Sequence, residues 1–192
     1  YEKILAIEPD NISALINRGY LLHGMEHMVE ALASFDRVLA LKHDDVSALN
    51  NRGITLVALD RAEEALTAHE FALAIAPNDA STHFNRAVAL NALGRRTEAL
   101  VAYAEALRIS PDDVTIRVNE TLCRFGHGDL KTAWQQYGWR WKSDAYRNAV
   151  RPFPIHPLTP TTRTALLWGE QGAGDQILYA SMLPDLVERG IT

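Results

Sequence analysis

Cysteine is all but missing: Cys123 is the only one in 192 residues. No disulfide can form within the chain, so the fold must hold by packing alone. A reducing compartment, the cytoplasm, is the simplest expectation. Lysine is scarce as well. Lys3, Lys42, Lys131 and Lys142 are the only four, and the formal net charge is -5. That leaves no overall basic footprint for a nucleic acid. No apolar run approaches the roughly 18 residues needed to cross a bilayer. No basic-then-apolar signal segment opens the sequence either. Tryptophan is absent until Trp134, and all four tryptophans fall in the last third of the chain.

What is present is a repeat. Asn17, Asn51, Asn85 and Asn119 stand 34 residues apart at every step. The same step separates Ala31, Ala65, Ala99 and Ala133, and also Phe35, His69, Tyr103 and Tyr137. It separates Ile7, Leu41, Ile75 and Ile109 as well. A sustained period of this length marks stacked supersecondary units, none of which can bury its apolar face alone.

Each unit reads as two helices. Asp45, Asp79 and Asp113 stand where helix N-caps belong, just ahead of apolar-periodic segments. The first helices are predicted over 12–25, 46–59, 80–93 and 114–126. The second are predicted over 28–42, 62–76, 96–110 and 130–141. Gly94 and Gly128 punctuate the turns inside their units. Pro9, Pro77 and Pro111 stop three of the second helices, because proline cannot continue the hydrogen-bond ladder. Gly19, Gly53 and Ala87 in the first helices, with Ala31, Ala65, Ala99 and Ala133 in the second, let paired backbones approach closely. His69 and His83 occupy core-like positions and are expected to be packing residues with satisfied ring nitrogens.

A small residue in helix one, then Ala-x-x-x-aromatic, then proline resembles the tetratricopeptide repeat. The expected fold is therefore mainly α, a right-handed α-solenoid. Its divisions are a trailing half-repeat 1–11, repeats 12–45, 46–79 and 80–113, and a degenerate repeat 114–141. The resemblance implies that the first helices line a concave surface, with the asparagine ladder upon it. A carboxamide both donates and accepts, so Asn17, Asn51, Asn85 and Asn119 suit an extended peptide backbone of any sequence. The alternative is that they bond to neighbouring helices or to water. Ile16, Tyr20, Ile54, Phe84 and Val88 would flank the ladder with apolar contact. Arg18, Arg52 and Arg86 stand where leucine is usual; their stems can pack while the guanidinium reaches solvent or an acid. His23 and His27 are four apart, but the predicted turn falls between them, so no metal site is expected.

Beyond residue 141 the composition changes. Pro152, Pro154, Pro157 and Pro160 crowd together, so 142–163 reads as an extended linker. Thr164–Trp168 reads as a buried strand, followed by a glycine turn and an amphipathic helix from about Asp175 to Arg189. This is the opening of a β-α-β unit. The turn Gly169-Glu-Gln-Gly-Ala-Gly-Asp175 lacks both the dinucleotide fingerprint and the P-loop lysine. It serves equally as a tight turn or as a ligand loop of Gly169, Gln171, Gly172 and Gly174.

The run from Gly128-Asp-Leu through Trp134-Gln-Gln-Tyr-Gly-Trp-Arg-Trp141 to Leu-Leu-Trp-Gly-Glu-Gln-Gly-Ala-Gly-Asp is similar to one bacterial family. Its members join a tetratricopeptide array to a GT-B, heptosyltransferase-like glycosyltransferase domain. The resemblance implies that 164–192 begin the N-terminal Rossmann-like half of that domain. It implies that Asp175 is a candidate catalytic base, competing with a role as helix N-cap. It also implies a nucleotide sugar as a cofactor-like donor in a longer protein. On this reading the chain is a fragment without activity or cofactor of its own, and Trp139 and Trp141 pack the last repeat against the next domain. The expected function is a protein- or peptide-binding module of a bacterial glycosyltransferase-like protein, presenting an acceptor or partner on its concave face; the alternative is a non-enzymatic scaffold for protein complex assembly.

Overall fold

The computed structural model describes residues 1–142 of the chain. Among them nine α-helices follow one another without a strand: α1 (Glu2–Ile7), α2 (Ile12–Gly24), α3 (Met28–Leu41), α4 (Val46–Ala58) and α5 (Ala62–Ile75) come first. Then come α6 (Ala80–Ala92), α7 (Arg96–Ile109), α8 (Val114–His127) and α9 (Leu130–Gln136), closed by a 3₁₀ segment, Tyr137–Lys142. This is the tetratricopeptide-like solenoid anticipated from the period. The predicted strand, glycine turn and Rossmann-like start lie outside the described residues.

Helix starts follow the N-cap column. Asn11, Asp45, Asp79 and Asp113 each accept a bond from the backbone N–H three residues on, at Ala14, Ala48, Thr82 and Ile116. Each satisfies one orphan donor and is worth about 1 kcal/mol. The second helices of the first three repeats start differently. His27, Arg61 and Arg95 give no side-chain cap, and each instead pairs with a glutamate in the first turn. Arg61 holds Glu64 and Arg95 holds Glu98 through two bonds each.

The turn within each repeat has one geometry. The His27 N–H reaches back to Leu22 O, and Arg61, Arg95 and Asp129 reach Leu56, Leu90 and Arg124 in the same way. This six-to-one closure needs a left-handed residue just past the helix. The residues there are Glu26, Asp60, Gly94 and Gly128, with φ of 63°, 58°, 73° and 92°. Glycine meets the requirement in two repeats, while Glu26 and Asp60 meet it at a steric cost. The helices ahead of Pro9, Pro77 and Pro111 stop at caps Glu8, Ala76 and Ser110, in each case the residue just before proline.

The core runs between helices as a chain of small clusters rather than one mass. Leu15, Val38 and Ala48 form one, Leu32, Leu56, Ala65 and Ala89 the next, and a larger one gathers around Leu90, Tyr103 and Ile116. Ala31, Ala65, Ala99 and Ala133 are completely buried, as the close approach of paired helices demands. Phe35 fills the space over Gly19, where a methyl group would stand 2.7 Å from its ring. His69 occupies the same place over Gly53.

Two expectations change. The helix predicted over 130–141 ends at Gln136 and tightens into the 3₁₀ segment. Gly138 weakens the helix there, and the flanking rings are drawn to α8 at Phe125 and Arg117. Trp134, Tyr137 and Phe125 meet edge to face at centroid distances of 5.0–5.3 Å. The Trp139 ring lies against Arg117 at 4.4 Å and Lys142 at 3.9 Å. Second, His69 is a packing residue but not a satisfied one: it is fully buried and neither ring nitrogen has a partner. His83 is half provided for, with Nε2 2.9 Å from Pro77 O and Nδ1 unpaired.

Candidate functional site: the inner face of the array

Successive first helices touch one another, α2 on α4 and α4 on α6, whereas no contact of that extent joins α3 to α5 or α5 to α7. The first helices therefore lie on the inside of the curve. Three columns share one face of them, since residues four and seven apart align on a helix. They are Ser13, Ser47, Ser81 and Thr115; the four asparagines; and Tyr20, Ile54, Val88 and Leu122. None of these carries a charge.

The asparagines are held from behind. Asn17, Asn51 and Asn119 each donate Nδ2 to the backbone carbonyl four residues earlier, at Ser13, Ser47 and Thr115, all at 2.9 Å. Asn85 donates to Asn50 Oδ1 at 3.0 Å, across neighbouring repeats. One N–H of each carboxamide is thus engaged within the array, which fixes the side chain and leaves its oxygen uncommitted. Asn17 is exposed and the other three half-buried.

The apolar column is uneven. Tyr20 is 67% exposed and Leu122 53%, while Ile54 and Val88 are half-buried. Phe84 leans inward, its ring 6.1 Å from that of Tyr103, and Ile16 packs beside the Leu15 cluster. Both contribute to the core as much as to the surface. Leu122 was missed by the sequence reading, although its 34-residue distance from Val88 was there to be read.

Between α2 and α4 the face deepens into a cavity of about 280 Å³. Tyr20, His23, Gly24 and Phe35 line it from one repeat, and Asn51, Ile54 and Thr55 from the next. His23 thus belongs to the site rather than to a metal pair. His27 faces Glu30 instead, at 3.6 Å, and among the described residues no cluster of three or more metal-ligating side chains occurs.

Charge is kept beside this face. Arg18 meets Glu2 at 2.8 Å, Arg52 meets Asp36 at 2.7 Å and Arg86 meets Glu70 at 3.5 Å. Each pair joins a first helix to the second helix of the preceding repeat. The fourth step breaks the pattern on both sides: Ala104 replaces the acid and Glu120 the arginine. Glu120 is buried and turns to Arg124 of its own helix at 2.6 Å, which also holds Asp129. Cys123 is buried with its thiol pushed up by burial, so it offers no nucleophile. Asp175, Gly169, Gln171, Gly172 and Gly174 lie outside the described residues. No described helix is long and apolar enough to cross a membrane.

Solved structures share this fold. The chain superposes on MamA from Desulfovibrio magneticus RS-1 with a TM-score of 0.65 at 20% identity, covering 75% of this chain and 81% of that one. It superposes on YrrB, a tetratricopeptide protein with an unusual peptide-binding site, with a TM-score of 0.60 at 22% identity, covering 75% and 74%. It also superposes on the first tetratricopeptide domain of Spaghetti bound to an HSP90 peptide, with a TM-score of 0.57 at 19% identity, covering 62% and 95%. No curated protein matches the sequence. The family model of the bacterial transcriptional activator domain matches residues 16–127, more than half of the chain. The chain belongs to the bacterial transcriptional activator domain family.

Proposed function

We propose that the chain is a peptide-binding helical module that holds an extended, uncharged segment of a partner protein along its inner face. The observation that carries this reading is the asparagine column, fixed by its own helices with the acceptor oxygens uncommitted. A row of fixed acceptors matches the N–H groups of an extended backbone, whatever its sequence. The peptide sites in the names of YrrB and of the Spaghetti complex support it by analogy of fold. The family supports a setting within a transcriptional activator, where such a module receives a regulatory partner. The lone cysteine supports a cytoplasmic location.

The test uses peptides selected on the intact chain from a displayed random library. Titration calorimetry should show Asn51→Ala with Asn85→Ala lowering their affinity at least about tenfold, the loss of roughly two net hydrogen bonds. Unchanged affinity would sink the reading and leave a scaffold that acts through its outer surfaces.

A second reading rests on the sequence run across 126–190, which resembles the junction of a tetratricopeptide array with a GT-B glycosyltransferase. In that setting the module presents an acceptor to a fused transferase that uses a nucleotide sugar, with Asp175 as base. Turnover of a nucleotide sugar by the full-length protein, abolished by Asp175→Ala, would favour it. Absence of turnover in the unaltered protein would remove it.

A further inference from the structure

We infer that the cavity between α2 and α4 is a specificity pocket for one tyrosine side chain of an uncharged partner segment, an inference that rests on the peptide-binding reading. At about 280 Å³ the cavity falls just short of the roughly 300–1,000 Å³ that drug-sized ligands occupy. One large side chain is the occupant its size admits. Its floor and walls are apolar where Phe35, Ile54 and the ring of Tyr20 stand. Gly24 lines its exposed rim, where an added Cβ would meet nothing within 4 Å.

The polar atoms of the walls sort the candidates. Thr55 spends its hydroxyl proton on Asn51 O at 2.8 Å, and Asn51 spends Nδ2 on Ser47 O. His23 Nε2, by contrast, is buried with no partner. A buried polar atom without a partner is destabilising, and a ligand group that bonds to it recovers that loss. No Asp, Glu, Lys or Arg lines the cavity. A carboxylate or ammonium entering it would lose water without gaining a counter-ion. An aliphatic or phenyl group would fill the space and leave His23 unpaired. A phenol supplies both the apolar body and a hydroxyl at its tip, which donates or accepts to suit the imidazole tautomer.

The probe is p-cresol, the tyrosine side chain alone, titrated into the intact labelled chain and followed by backbone amide shifts. Saturable shifts at Gly24, Ile54 and Thr55 are expected, with toluene several-fold weaker and benzoate and benzylammonium not saturating. His23→Ala should bring p-cresol down to the level of toluene. Gly24→Leu should weaken it at least tenfold by crowding the rim of the cavity. Where Gly24→Leu lowers the melting temperature, Ile54→Trp fills the same space from α4. Shifts that never saturate, toluene equal to p-cresol, or full binding in both filled variants would each overturn the inference. Saturable p-cresol with selected peptides indifferent to the asparagine changes would sink the groove and keep the pocket. Peptides that need the asparagines but not an open cavity would do the reverse.

Discussion

The imidazole of His69 lies so close over Gly53 that a methyl group on the glycine would stand 2.5 Å from Nε2. The pair joins α4 to α5 within one repeat, and both residues are buried. Gly53→Ala therefore forces ring and helix apart. A loss of about 1–3 kcal/mol is expected from denaturant midpoints, the usual range for overpacking. In a His69→Ala background the same change should cost far less, because the overlap is gone. Equal costs in both backgrounds would show that the ring is not what the methyl strikes.

His69 also gives the fold an acid-sensitive point. Burial, with no bond at either nitrogen, pulls its pKa down to about 4. Above about pH 6.5 the imidazole is neutral whether the chain is folded or not, and its contribution is complete. As pH falls from there toward 4, the unfolded chain takes up a proton that the folded one refuses. Stability should drop by roughly 3 kcal/mol over that window and level off below it. His69→Phe should remove this dependence and raise stability at pH 5, since Phe35 already sits over Gly19 in the same way. Urea titrations of both proteins between pH 4 and 7 compare the slopes.

Asp60 occupies a left-handed turn position, at φ 58°, that glycine holds in the third and fourth repeats. Asp60→Gly should stabilise the chain by about 0.5–1 kcal/mol, because it removes a Cβ clash that outweighs the entropy of glycine. Gly94→Ala, the opposite exchange, should destabilise by a similar amount. Melting curves on the two variants settle the sign.

The Arg52–Asp36 pair is partly exposed, at 25% and 50% for the two side chains. A double-mutant cycle should return a coupling of about 0.5 kcal/mol that shrinks in 1 M salt. A coupling of several kcal/mol, indifferent to salt, would mean the pair holds the stack rather than aligning it.

The helices were legible because one unit is written four times. Errors in any single propensity are outvoted by the column, as with the Asn11, Asp45, Asp79 and Asp113 caps. The site was legible only in part. The asparagine column could be seen, but not that each nitrogen turns back to a carbonyl of its own helix or to Asn50. That choice depends on rotamers, which spacing does not encode. The cavity depends on the coincidence of Gly24 with Phe35 and Ile54 from three helices. The split of the last helix escaped because the Trp139 contact with Arg117 acts across the fold, not along the segment.

The exchange of both rung partners at the fourth step gives the repeats an order of assembly. Arg52 and Arg86 face acids of the preceding unit, so a duplicated copy of 46–79 inserted after itself would meet Glu70 with a second Arg52 and keep every rung. The fourth unit brings Glu120, and behind any unit but the third it would set a carboxylate against Asp36 or Glu70. Units one and two, each with an arginine ahead and an acid behind, are therefore interchangeable parts, while the fourth fits only where the third, with Ala104, precedes it. Shuffling the repeats would be tolerated up to that junction and penalised across it.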